Sequence, residues 1–303
     1  MFCRCGRKAI YYRRQSGQYL CGTCFSKSIH SKFRTTVRKY SLVRKGDRIA
    51  VGLSGGKDST VLLHLLHDLQ KRRPFQMAAI TIDEGIKGYR DKTIKVAEKN
   101  CHTLGIECHI FSFEEEFGIT LDSIESELSH CSYCGVFRRY LLNKKSRELV
   151  LEKLAVGLNL DDEVQSILLN LLRGDLFRFG RTGPYYQDKP HFVPRIKPLR
   201  EIPEKEIMLY ALINSIPVDH SVCPYAQEAY RGDIRHFLDE MESKRPTTKY
   251  SFLRNYDRLV PYFQKELTCD TPACERCGEP SVDGLCKTCM MLEEIRKGKK
   301  EKK

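Results

Sequence analysis

The sequence predicts an α/β protein, a parallel sheet flanked by helices, with a small metal-binding module near each end of the chain. Three observations predict it. Strand-like and helix-like hydrophobic patterns alternate across residues 47–173, as they do where crossover helices cover both faces of a parallel sheet. The run Ile49-Ala-Val-Gly-Leu-Ser-Gly-Gly-Lys-Asp-Ser59 passes from a buried-strand pattern, through a small-residue turn, into the helix pattern of residues 61–69. Cysteines gather in two outer sets of four: Cys3, Cys5, Cys21 and Cys24, then Cys274, Cys277, Cys286 and Cys289.

Taken in order, the first cysteine set brackets residues 7–20, where Ile10, Tyr11, Tyr12 and Tyr19 suit a small hairpin. Four thiolates so spaced fit a closed, structural tetrahedral zinc site. Residues 25–48 are basic and helix-compatible, with Lys27, Lys32, Arg34, Arg38, Lys39, Arg44 and Lys45. They read as a solvated linker helix or as a contact for RNA phosphates. Strands are predicted over 47–53, 76–82, 106–111 and 153–157, and helices over 59–71, 91–104, 161–173 and 203–214. Residues 121–128 are helix-patterned, and another helix opens at 135–139. Residues 226–267 read as helical, interrupted at Pro246 and Pro261. The pairs Cys274-x-x-Cys277 and Cys286-x-x-Cys289 then give a zinc ribbon or knuckle, with Cys269 off-register as a spare. Residues 296–303 are mostly lysine and read as a disordered arm able to touch RNA. The implied division is a zinc module (1–26), a basic linker helix (27–46), a catalytic domain (47–225), a helical annex (226–268), a zinc ribbon (269–292) and a basic tail (293–303).

Composition narrows the partners. The 303 residues carry 52 Lys and Arg against 39 Asp and Glu, a formal charge of +13. That excess favours a polyanion, nucleic acid first. No run of 18 apolar residues exists, and Met1-Phe-Cys-Arg-Cys5 does not read as a signal peptide, so no membrane role and a reducing cytoplasm are expected. Fourteen cysteines in that compartment point to metal or redox chemistry rather than disulfides.

The turn after the first sheet strand is where the chemistry concentrates. A strand, a small-residue loop and a helix N-terminus aim several backbone N–H groups at one anion. Ser54, Gly55 and Gly56 let phosphate oxygens approach the main chain, Lys57 adds a mobile charge, and Ser59 offers a hydroxyl. Asp58 beside phosphates calls for a magnesium ion or the helix N-terminus to offset it. The spacing is not that of the Walker loop. Ligands in such sheets sit beyond the strands' carboxyl ends, where Ser54, the Ile82-Asp83-Glu84 run and residues 157–162 would meet. In Gly157-Leu-Asn-Leu-Asp-Asp162, helix capping explains one of Asp161 and Asp162 and leaves the other for magnesium or a proton. Basic and aromatic residues interleave in 172–181 and recur as a basic run in 195–200, a pattern suited to RNA phosphates and unstacked bases.

Cys131-Ser-Tyr-Cys134 and the distant Cys223 form a third set. Three cysteines do not close a tetrahedral zinc site. They can hold a [4Fe-4S] cluster with one iron lacking a protein ligand. They can instead pass a persulfide between them, or be unrelated thiols.

The six residues Ser-Gly-Gly-Lys-Asp-Ser match the PP-loop of ATP pyrophosphatases, of the adenine nucleotide alpha hydrolase-like fold. Together with Cys131-x-x-Cys134, residues 157–162, Cys223 and the eight outer cysteines, they make nearly the whole chain resemble the tRNA 2-thiouridine synthetases of that group. The resemblance implies that Gly52, Leu53, Ser54, Gly55, Gly56, Lys57, Asp58 and Ser59 hold ATP phosphates, that Ile82 and Gly157 contact adenosine, and that Asp162 serves Mg2+ or the activated base. It implies adenylation of a tRNA uridine at its C2 carbonyl, then sulfur insertion through a cluster on Cys131, Cys134 and Cys223; the wobble base is the favoured target, with the T-loop uridine, or a persulfide relay without a cluster, as the alternative. It implies two zinc ions, a homodimer, and sulfur from free sulfide or a ubiquitin-like carrier. Leu158 stands where the family usually has His. Arg138 stands where relatives have Lys or Arg, and it supplies charge but not readily a proton. Two other readings compete. Amine transfer after adenylation would need no thiols, and a non-catalytic zinc-ribbon RNA-binding protein would need no intact loop.

Overall fold

Ile49, Val51 and Leu53 fall in one hydrophobic core, and Ala50, between them, falls in another. That alternation is the period of a strand buried on both faces. In the computed structural model, which describes residues 1–125, 128–183, 191–228, 232–266, 272–281 and 284–301, this strand is the centre of the molecule. After an antiparallel hairpin of β1 (Tyr11–Arg13) and β2 (Gln18–Leu20) comes α1 (Gly22–Lys39), then the central strand β3 (Arg48–Gly52) and α2 (Lys57–Gln70). Next follow β4 (Gln76–Asp83), α3 (Arg90–Leu104), β5 (Cys108–Ser112), the short α4 (Phe113–Phe117) and α5 (His130–Glu148). The sheet is completed by β6 (Lys153–Ala155) and β7 (Arg195–Ile196), with α6 (Leu160–Leu172) and α7 (Leu176–Arg181) between them. The order is β5-β4-β3-β6-β7, and every pair is parallel. The remaining helices are α8 (Glu204–Ile213), α9 (Gly232–Lys244), α10 (Thr248–Glu266) and α11 (Lys287–Glu301).

Helices α1, α2 and α8 pack together over one sheet face. Helix α5 covers the other, with Met291 and Ile295 of α11 in the same core. A third core, with Leu160, Val164, Phe179, Leu253 and Tyr256, joins α6, α7, α9 and α10. Five features differ from the sequence expectation. Helix α1 is no solvated linker: Phe25, Ile29, Phe33 and Val37 form a buried stripe at four-residue spacing, obscured in the sequence by the basic residues between them. Residues 121–128 hold only the short turn Leu121–Ser123, and α5 starts at His130 rather than 135, which puts both Cys131 and Cys134 inside it. The two-residue β7 had no strand pattern to detect. Pro261 sits inside α10, where the roughly 3 kcal/mol penalty of an interior proline is met by burial of Leu253, Tyr256 and Val260. Residues 296–301 continue α11 instead of forming a disordered arm. Cys269 lies outside the described residues, as does the end of the tail at 302–303.

The hairpin is fixed to the sheet domain by a buried charge. The Glu206 carboxylate on α8 accepts from Arg13 Nε (2.8 Å) and Nη2 (3.0 Å), Lys32 Nζ (3.0 Å) and Gln15 Nε2 (3.1 Å). Its side chain is 0 % exposed. Burial by itself would raise its pKa, but Lys32 and Arg13 outweigh burial and hold it below the usual carboxylate range. Glu206→Ala should therefore cost about 3–5 kcal/mol, because it leaves Arg13 buried and unpaired. A carboxyl with a depressed folded pKa stabilises above its unfolded value and loses that contribution as pH falls through the folded one. Urea unfolding at several pH values checks this: the gap between wild type and variant should be full at neutral pH and shrink below about pH 4.5.

Candidate active site

Beyond the carboxyl end of β3, the backbone turns through residues 53–56 into the first turn of α2. Ser59 Oγ accepts from the Ser54 amide (3.1 Å), lies 3.0 Å from Ser54 Oγ, and donates to Gly56 O (3.2 Å). The loop is therefore tied to its own helix. Gly55 has φ +84°, and a Cβ there would stand 2.1 Å from Thr93 O on α3, so only glycine fits. A Cβ on Gly157, after β6, would come within 2.8 Å of the Ser59 amide. Those two glycines let three stretches of main chain meet around the α2 N-terminus, the end of a helix that attracts anions. Lys57 reaches Asp58 (3.0 Å) and Glu204 (2.7 Å), acidic partners that a phosphate would replace or share.

The acidic pair behaves differently from expectation. Asn159, not an aspartate, caps α6: its side chain accepts from the Asp162 amide (3.0 Å), and Asp162 Oδ2 accepts from the Asn159 amide (3.2 Å), a reciprocal capping box. Asn159 Nδ2 also donates to Asp58 Oδ1 (2.9 Å), joining the cap to the loop. Asp161 is buried, where it pairs with Lys249 and accepts from the Glu204 amide (2.7 Å). Both aspartates thus have structural partners. Leu158, beside them, is half-buried.

At the end of β4, Asp83 accepts from the Gly85 amide (2.8 Å) and the Ile82 side chain is buried. Arg90, also buried, donates to Ser54 O (3.1 Å), to Thr93 Oγ1 (2.7 Å) and to Ile82 O. Its Nε lies 2.6 Å from Glu84. The sequence places Glu84 at the pocket by its position at a strand end but gives it no role. Arg90 escapes the sequence reading because a single charge at a helix start looks like solvated surface.

The three-thiol set is brought together by two elements. Cys131 and Cys134 lie one turn apart at the start of α5, and Cys223 lies on the segment before a short turn, Pro224–Glu228. That segment runs beside the loop after β3, with the Asp219 amide donating to Gly55 O (3.1 Å) and Gly56 and Asp219 forming a parallel bridge. It then meets α5: Cys131 Sγ donates to Tyr225 O (3.1 Å), and the Tyr225 ring stacks on His130 at 4.2 Å. Burial pushes the Cys134 thiol up to about 11 against the opposing charge of Arg138. Arg138 is half exposed, 3.6 Å from Glu84.

Among the described residues, two sets bring three or more ligand atoms within 4.8 Å of one another: Cys3, Cys5, Cys21, Cys24 and Cys274, Cys277, Cys286, Cys289. Both are four-thiol metal sites in the making. Backbone N–H groups of Cys5 and Cys21 hold the Cys3 thiol down at about 6. Burial would raise Cys274, but amides of Cys286, Cys277 and Arg276 bring it to about 6. Such N–H···S contacts favour thiolate, the form that binds metal. Cys131, Cys134 and Cys223 are not drawn together that tightly. Sulfurs on one tetrahedral zinc would be about 3.8 Å apart, from the ~2.3 Å bond. Among the described residues these three thiols form no such close set.

Comparison with known proteins agrees with this geometry. Residues 26–240 match the PP-loop domain family, and residues 3–26 match the N-terminal LIM domain of the 2-thiouridine synthetase TtuA. The tRNA 2-thiolation protein NcsA of Haloferax volcanii is 36% identical over 96% of this chain and 98% of its own. Cytoplasmic tRNA 2-thiolation protein 1 of Caenorhabditis elegans is 34% identical over 99% and 84%. A solved structure, the U34-tRNA thiolase NcsA from Methanococcus maripaludis with its [4Fe-4S] cluster, superposes with a TM-score of 0.86 at 37% identity, covering 97% of this chain and 96% of that one. Similarity at this level, end to end and in both sequence and fold, means that the chain belongs to the PP-loop family of tRNA 2-thiolation sulfurtransferases.

Proposed function

We propose that this chain uses ATP to activate the C2 carbonyl of the wobble uridine in tRNA and replaces its oxygen with sulfur. The observation that carries the reading is the backbone bridge between Gly56 and Asp219, which sets the thiol of Cys223 four residues from the nucleotide loop. Activation and sulfur insertion need one pocket, and this bridge supplies a reason for the two groups to share it.

The loop of residues 52–59 would hold the ATP phosphates through main-chain amides, Ser54, Ser59 and Lys57, with Ile82 and Gly157 flanking the adenosine. The uridine C2 oxygen attacks the α-phosphorus, and pyrophosphate leaves. Lys57 and the α2 N-terminus then face the charge that develops on the departing phosphates. Asp58, oriented by Asn159, and Asp162 are the carboxylates available to Mg2+. Cys131, Cys134 and Cys223 would hold a [4Fe-4S] cluster, whose iron without a protein ligand can keep sulfide nucleophilic at neutral pH. Sulfide adds at C2, and the former carbonyl oxygen leaves with AMP. Arg138 places positive charge beside the thiol set without having a proton to give at neutral pH. The outer four-cysteine sites would take one zinc ion each, and the basic surfaces would hold tRNA. The same reading assigns the sulfur to free sulfide or a ubiquitin-like carrier, the assembly to a homodimer and the compartment to the cytoplasm. Among the described residues no helix is long and apolar enough to cross a membrane.

Anaerobically purified protein should contain about four irons with matching acid-labile sulfide, and Cys223→Ala should lose both while the zinc content stays unchanged. Active enzyme holding zinc but no iron would replace the cluster with a persulfide relay. Pyrophosphate release in the presence of tRNA tests the first half-reaction. Gly55→Ala, whose new Cβ collides with Thr93 O, should lower it by about 100-fold or more, as expected when charge-stabilising groups are misplaced. Lys57→Ala should lower kcat/KM for ATP by about 10- to 1,000-fold. Unchanged release in both variants would move ATP binding away from this loop.

A further inference from the structure

Glu84 is a buried carboxylate with two guanidinium neighbours, Arg90 on α3 and Arg138 on α5. Its side chain is 5 % exposed. Oε2 meets Arg90 Nε at 2.6 Å, a charge contact rather than an in-line hydrogen bond, and Oε1 lies 3.6 Å from Arg138 Nη1. Arg90 carries the floor of the nucleotide loop: it donates to Ser54 O, Ile82 O and Thr93 Oγ1, and Thr93 O is the atom that Gly55 packs against. Arg138 stands on α5 one turn beyond Cys134, and its charge acts on Cys134, Glu84, Tyr89 and Cys223. The Glu84 backbone is fixed as well, its carbonyl accepting from the Leu121 amide (2.7 Å).

We infer that Glu84 is a positioning residue that couples the nucleotide loop to the thiol set, by holding Arg90 under the loop and Arg138 beside the cysteines with one carboxylate. Burying this carboxylate costs desolvation that its two guanidinium neighbours together offset, so displacement of either leaves the charge under-compensated and is felt by the other. The inference rests on the functional reading above for what each end binds. Neither the loop motif nor the cysteine motif contains Glu84, and no other function for it is evident from its contacts.

The test uses Glu84→Gln, which preserves size and removes charge, and Glu84→Asp, which preserves charge. Three quantities are measured: the affinity of cluster-free protein for an ATP analogue with a methylene between the α and β phosphates, the reduction potential of the reconstituted cluster, and the thermal midpoint. For Glu84→Gln the analogue should bind about tenfold more weakly, and the potential should become less negative, since one negative charge near the cluster is gone. Glu84→Asp should recover most of the potential shift. A lowered thermal midpoint with affinity and potential both unchanged overturns the proposal, as does a change confined to one end. If Glu84→Gln yields no folded protein, the half-exposed Arg138→Gln probes the same chain from its far end. It should weaken analogue binding in cluster-free protein, and full affinity would overturn the coupling. Wild-type protein that takes up no iron or does not bind the analogue defeats the functional reading itself. Wild type that does both, beside variants that differ in neither, defeats only the role of Glu84.

Discussion

The rest of the site depends on how closely backbone packs around the loop after the central strand. There is no space for a side chain at Gly55 against Thr93 O, nor at Gly157 against the Ser59 amide. Three separate stretches of main chain, from α3, from the end of β6 and from the segment at Asp219, therefore determine where the loop lies. A loop located by backbone contacts is already shaped when its ligand arrives, and little ordering has to be done on binding. The same packing has a consequence further along the chain. The Asp219 segment cannot shift without disturbing Gly55, so the position of Cys223 is tied to that of the loop.

The parts of the fold legible in the sequence were those whose neighbours impose a strong period. Strands β3 and β4 are buried on both faces and read as apolar runs, and α2 and α6 carry apolar stripes. Helix α5 was legible only from its middle, because His130 to Gly135 contributes polar and cysteine side chains and just one deeply buried residue, Tyr133. In α1 the basic residues drew attention away from Phe25, Ile29 and Phe33, which lie four apart. The site divides in the same way. Glycine, lysine and cysteine at fixed spacing reveal themselves in one dimension, whereas Asn159, Glu84 and Arg90 act on groups brought near by the sheet. The motif runs locate Asn159 and Glu84 but not what they hold, and nothing local marks Arg90.

Buried charge is the recurring device for joining elements, and it uses acids that would otherwise be candidates for chemistry. Glu206 fastens the hairpin and α1 to α8. Arg200, fully buried, spans Glu163 on α6 (3.3 Å) and Asp257 on α10 (2.9 Å to each oxygen). Asp161 ties α6 to α10 through Lys249. Removing one partner of such a pair is costly, while the intact pair adds little net stability over apolar packing. These joints are thus better understood as fixing relative placement than as supplying stability. Asp58 and Asp162, by contrast, stand at the loop and its adjoining cap, joined through Asn159.

The carboxyl-terminal cysteine module bears on the site through α5. Asn143 donates to Glu279 (2.6 Å), Arg147 pairs with Glu279, and Met291 and Ile295 enter the core beneath α5. The other end of α5 holds Cys131 and Cys134. A helix of 19 residues is about 28 Å long and moves as a unit over that span. Its angle is therefore set at one end by the four-cysteine module and carried to the other, where the thiols lie. A four-thiol site that organises its own fold on binding metal would also fix the helix it docks against, and so help to set the distance between the thiol set and the loop after β3.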